Sequence, residues 1–151
     1  MSSILRVVAG LWVGLGVAWA DPNPGQRLFE KTCASCHQES GTGLAGIYPP
    51  LVGSEWVVQP KSNALISLVL QGIEGPVRVL GETYQGEMPA HKAVLDDGQV
   101  AEILTYIRSS WGNKAGPVSR QEVAHSRQAR SRSRPWSQAE LHKIFPPTKS
   151  T

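Results

Sequence analysis

Cys33-Ala34-Ser35-Cys36-His37 is the segment that most restricts this chain of 151 residues, because it holds the only two cysteines present. On a helix, residues three and four apart sit above one another, so Phe29, Cys33 and Cys36, at i, i+4 and i+7, share a face. The cysteines therefore point where a core would form, and a histidine follows them directly. Any fold built on this segment must accommodate chemistry at two sulfurs and one imidazole within about one helical turn.

Several chemistries use paired cysteines at this spacing. A redox Cys-x-x-Cys of the thioredoxin type expects a βαβ setting. A zinc site wants two further ligands that no other cysteine can supply. The pattern with a trailing histidine is that of covalent haem attachment, in which both thiols add to haem vinyl groups and the imidazole reaches the iron. On this reading Cys33 and Cys36 hold one haem c and His37 binds its iron. Aromatic content of 7%, with two Phe and three Tyr, leaves few large core fillers, and a buried prosthetic group would supply the missing apolar mass.

Haem iron in an electron carrier usually takes a second axial ligand, and a thioether raises its potential. Met88 is the one methionine besides Met1. It lies in Gly86-Glu87-Met88-Pro89, a loop rather than an amphipathic stripe, which favours a ligand over a core filler. His91 is the nearest rival and reads as a surface histidine.

The pattern around these residues is helical with long loops. Asn23 and Pro24 suit the cap and first position of a helix leading into Cys33. Residues 38–60 are Gly- and Pro-rich without a sustained period and read as an irregular loop, and residues 72–95 read likewise. A helix is predicted over 62–71, with Leu65, Leu68 and Val69 on one side and Gly72 as its stop. The clearest helix starts at Asp96, where Asp96 with Gln99 forms a capping box and Val100, Ile103, Leu104, Ile107 and Trp111 form an apolar stripe ending at Gly112. The expectation is an all-α fold of three to four helices with long loops wrapped around one covalently attached haem; loops of this length are acceptable because a ligand would organise them.

The two ends differ from this middle. Residues 1–20 read as an export signal: Arg6, then an uncharged run from Val7 to Trp19, then Ala18-Trp19-Ala20. That run is short of the about 20 apolar residues a membrane span needs, so no span is expected after cleavage. Residues 21–112 form the haem domain and carry six Lys/Arg against ten Asp/Glu. Residues 113–151 carry eight against two. The basic charge thus belongs to a C-terminal extension and gives no reason to expect nucleic-acid binding. Ser119 with Glu122 and Ser137 with Glu140 repeat the capping-box spacing and suggest two short helices. Arg127, Arg130, Arg132 and Arg134 suit an acidic partner, but Arg/Ser-rich composition favours a solvated, partly disordered tail.

Over about residues 21–112 the chain resembles the class I c-type cytochromes, which have a first helix entering Cys-x-x-Cys-His, a Pro-rich loop, a Met-bearing loop and a final helix crossing the first. The resemblance implies that the Pro49 carbonyl accepts the Nδ1–H bond of His37. It also implies that Gly25 and Phe29 pack against Tyr106. Gly46 to Val57, Leu104 to Asn113 and Tyr84-x-Gly86-x-Met88-Pro89 are similar to cytochrome subunits or domains of periplasmic dehydrogenases and copper nitrite reductases. Several of those carry three haems; a single Cys-x-x-Cys-His implies a one-haem shuttle or small subunit.

The function these residues imply is outer-sphere electron transfer in the periplasm, without catalysis by the chain itself, between a dehydrogenase, nitrite reductase or oxidase and another carrier. With His37 and Met88 both on the iron, no position remains for a substrate. Trp56 and Trp111 are expected to pack rather than conduct. The competing readings are catalysis or gas sensing at a haem whose Met88 is labile, and a non-catalytic subunit clamped to a larger enzyme by its tail.

Overall fold

The computed structural model describes residues 23–130 and 132–146. The segment expected to be a signal, 1–20, lies outside the described residues. Among those described, no helix is long and apolar enough to cross a membrane.

The first helix, α1 (Pro24–Thr32), starts where the Asn23 side chain accepts a hydrogen bond from the Gly25 amide at 2.9 Å. After one irregular residue, Cys33, it resumes as the single turn α2 (Ala34–His37). A single-turn α3 (Glu55–Val58) and α4 (Asn63–Gln71) follow, and α5 (Asp97–Ser109) carries the capping box expected at Asp96 and Gln99. Helices α1 and α5 cross closely. A Cβ on Gly25 would lie 2.2 Å from the Glu102 carbonyl oxygen and 2.9 Å from Tyr106 Cβ, so only glycine permits this approach. Phe29, Tyr106 and Trp111 form a cluster beside the crossing, with ring centroids 5.2 to 5.6 Å apart.

The stretch read as loop between α4 and α5 contains two antiparallel pairs. Strand β1 (Ile73–Glu74) pairs with β4 (Glu87–Met88), and β2 (Val77–Val79) pairs with β3 (Glu82–Tyr84). Strands of two or three residues are too short to show alternation, which is why the sequence reads them as irregular. The chain is mostly helical with long loops, and its seven helices among the described residues exceed the expected three to four because two are single turns and two lie in the extension.

Beyond α5, α6 (Arg120–Ala129) and α7 (Gln138–Ile144) each begin with the capping box that the Ser and Glu spacing suggests. This Arg-rich stretch, which composition reads as a solvated tail, is packed on α4. Val123, Trp136 and Leu141 are buried, Ser67 and Ser126 hydroxyls meet at 3.2 Å, and the Gln71 amide donates to the Arg130 carbonyl at 2.8 Å. Helix α4 is buried from Ala64 to Gln71 because the core covers one side and the extension the other.

Candidate functional site

A cavity of about 390 Å³ opens inside the domain, walled by α2, α4, α5, the β2–β3 pair and the loop around Pro49. Its lining is mainly apolar, including Leu65, Leu68, Val69, Val77, Leu104 and Ile107. Cys33, Cys36, His37, Pro49, Met88 and His91 all line it. The structure therefore brings every sequence-predicted site residue to one space, together with the rival histidine. His91, read as a surface residue, is half-buried, since its backbone N–H binds the Val69 carbonyl at the end of α4 and draws the ring inward.

His37 and Pro49 are 12 residues apart and meet through a 2.9 Å contact between Nδ1 and the Pro49 carbonyl oxygen. The carbonyl can only accept, so Nδ1 carries the proton and Nε2 keeps its lone pair. Burial lowers the His37 pKa, the Pro49 bond opposes this, and the proximity of His91 lowers it further. The ring is thus held neutral, which is the form that binds a metal.

Burial, assisted by Cys36, pushes the Cys33 thiol up to about 12. Reactive or zinc-binding cysteines have depressed values because thiolate is the working form. A desolvated thiol at the wall of an apolar cavity has neither character. Met88 is half-buried and its backbone pairs with Ile73 across β1 and β4, which puts it on the cavity wall without a covalent tie. Two thiols on one turn, an imidazole with a free Nε2, a thioether and an apolar enclosure are the donor set and surroundings that haem c requires.

Two further residues shape the site: Trp56, which the sequence reading expects to pack, and Asn113, to which it gives no role of its own. Trp56 lines the cavity and donates from Nε1 to the Arg78 carbonyl at 3.1 Å, fastening the β2–β3 pair as a wall. Its ring stacks on His142 of α7, with centroids 5.0 Å apart. Asn113 accepts from the Gly53 amide and donates to the Leu51 and Ile107 carbonyls, tying the loop after Pro49 to α5. Its place after Gly112, just beyond the stripe of α5, was the available signal.

Residues 23–111 match the family model described as cytochrome c. Cytochrome c-552 of Thermus thermophilus is 36% identical over 103 residues, which are 66% of this chain and 66% of that protein. The cytochrome c subunit of alcohol dehydrogenase (quinone) from Gluconacetobacter polyoxogenes is 34% identical over 105 residues, 69% of this chain and 22% of the subunit. The gluconate 2-dehydrogenase cytochrome c subunit of Pantoea cypripedii is 34% identical over 127 residues, 81% of this chain and 27% of the subunit. The chain thus spans just under two thirds of the Thermus protein and about a quarter of these dehydrogenase subunits.

Proposed function

Since this chain belongs to the cytochrome c family and carries covalently bound haem c, we propose that it is a one-electron carrier in the periplasm, with His37 and Met88 as the axial ligands. The haem supplies an Fe(II)/Fe(III) couple; the residues around it set where that couple lies and who can reach it. Cys33 and Cys36 hold the group to α2, and Pro49 keeps the His37 ring in one tautomer and one orientation. A Met88 thioether on the iron would favour the reduced state. The apolar lining keeps water away and limits the reorganisation that accompanies a change of charge. The observation that carries the reading is that Cys33, Cys36, His37 and Met88 line one apolar cavity.

Ile47 and Tyr48 line the same cavity and are 53% and 36% exposed, so its rim reaches solvent beside an apolar edge. A redox partner can approach there. Similarity to cytochrome subunits of dehydrogenases supports a periplasmic dehydrogenase as that partner. No atom of the chain is asked to make or break substrate bonds.

Visible spectra of the oxidised and reduced protein test the ligand set. The weak sulfur-to-iron band at the red end is expected in the oxidised protein and absent in Met88→Ala. A spectrum without this band in the unmodified protein, altered by His91→Ala, would assign the position to His91. Ready binding of carbon monoxide by the unmodified reduced protein would instead support the catalytic or sensing reading.

A further inference from the structure

We propose that Arg127 and Trp136, both beyond the stretch that matches the cytochrome c family, are positioning residues for Met88: they fix the two flanks of its segment and so set how firmly the thioether is kept in the cavity. The inference rests on the reading of Met88 as an axial ligand.

The chain before Met88 is fixed through β1. Ile73 pairs with Met88 on one edge and forms a parallel bridge with Trp136 on the other. The Trp136 amide donates to the Gly72 carbonyl at 3.0 Å, and the Glu74 amide donates to the Trp136 carbonyl at 2.8 Å. The indole is buried, with Nε1 donating to the Ser67 carbonyl of α4 at 3.2 Å. Trp136, Ile73 and Met88 are therefore three adjacent backbones, the first anchored in α4. A glycine completes the arrangement, since a Cβ on Gly72 would meet the Met88 carbonyl oxygen at 2.4 Å.

The chain after Met88 is fixed by two backbone ties to α4 and, beyond them, by one guanidinium. The His91 and Lys92 amides donate to the Val69 and Leu70 carbonyls, and Arg127 then takes the carbonyls that follow. Its Nη1 donates to Lys92 O at 2.6 Å, Nη2 to Leu95 O at 2.8 Å and Nε to Asp97 Oδ1 at 2.6 Å. A planar fork with fixed donors holds three acceptors in one geometry, which a lysine cannot do. The neighbouring arginines are engaged in supporting the same scaffold. Arg132 lies 3.8 Å over the Trp136 ring and reaches Glu140, and Arg134 also pairs with Glu140. Of the cluster that composition offers as a docking surface, Arg127 and Arg132 are thus turned inward, whereas the Arg134 side chain stays 60% exposed.

The experiment compares the holo-protein with Arg127→Met, Arg127→Lys, Trp136→Phe and a control, Leu141→Ala, which removes buried bulk from the extension without touching these ties. Amide exchange of residues 86–95 reads the positioning without reference to the iron. Carbon monoxide association to the reduced protein and the sulfur-to-iron band read the ligand. Losing the ties of Arg127 should lower protection of 86–95 by about tenfold or more, as the loss of one or two net hydrogen bonds gives in a local opening equilibrium. Carbon monoxide should bind faster by a similar factor, and Arg127→Lys should recover only part of it. Trp136→Phe, which keeps the backbone bridge, should be milder than Arg127→Met. Exchange and carbon monoxide binding unchanged in Arg127→Met, or changed as much by Leu141→Ala, would overturn the positioning role alone. An unmodified protein that lacks the band and binds carbon monoxide freely would overturn the Met88 reading, and this inference with it.

Discussion

Arg108 sits on α5 beside the apolar stripe and is 1% exposed. Its guanidinium donates to the carbonyls of Val57, Gln59 and Gly116 at 2.6, 3.1 and 2.7 Å, with a longer contact of 3.4 Å to Pro60. Burial lowers its pKa, opposed by the nearby Glu122 carboxylate. The side chain thus ties α3 and the turn after it to the start of the extension. In Arg108→Met these carbonyls keep their burial and lose their donor, so the expected loss is about 3 kcal/mol or more, read from denaturant unfolding of the holo-protein. Arg108→Lys should recover less than half, because one ammonium cannot span acceptors arranged around a fork. Legibility at this scale was uneven for a physical reason. Cys33, Cys36 and His37 announce themselves because three bonds to one group dictate both residue types and spacing. Arg108 and Arg127 do not, because their partners are mainly backbone carbonyls, which leave no mark in the sequence.

Helix α4 shows the same division one level up. The run Asn63-Ala64-Leu65-Ile66-Ser67-Leu68-Val69-Leu70-Gln71 is legible as a helix, and Leu65, Leu68 and Val69 do line the cavity. Ile66 and Leu70 are 0% exposed, and a helix apolar on every side must be covered on every side. What covers it was hidden, since the contact of Ser67 with Ser126 spans 59 residues. The capping boxes of α6 and α7, by contrast, are local and were readable. They also make the extension sensitive to acid. Glu122 is held below the usual carboxylate range by the Ser119 amide and hydroxyl, and Glu140 down to about 2 by Arg134 and then the Ser137 amide. Carboxylates depressed in the folded state contribute stability that is fully present above their unfolded value near 4.5 and is lost as pH falls through the folded one. Protection of the α7 amides should therefore decline between about pH 4.5 and 2. Glu140→Gln should remove most of that pH dependence and leave α7 less protected already at neutral pH. A decline of equal size in that variant would assign the acid sensitivity to other groups. The crossing of α1 and α5 is more rigid: Gly25→Ala drives a methyl into the Glu102 carbonyl, and a loss of about 2 kcal/mol is expected on thermal unfolding.

For the molecule as a whole, the cavity decides what kind of folding unit this is. Its walls are the inward faces of α4, α5 and the β2–β3 pair, so the same residues are both binding site and core. Without its occupant, this apolar space of about 390 Å³ would leave the lining side chains short of packing partners, a loss that a marginally stable small domain cannot absorb. Water entering through the rim at Ile47 and Tyr48 would not recover this, because the lining offers it few partners. The haem therefore completes the fold as well as supplying the couple. In Cys33→Ala/Cys36→Ala, where no thioether bond can form, the chain without haem should lose its near-ultraviolet circular dichroism and most of its slow amide exchange. The extension makes the test more informative, because α6 packs on both α4 and α5 and the extension buries residues of its own, Val123, Trp136 and Leu141. The two helices beneath α6 would then have their inner faces exposed. Protection of α6 and α7 should fall together with that of α5 in one transition. Protection of α6 and α7 that outlasts that of α1 and α5 would instead identify the extension with α4 as a separate cooperative unit.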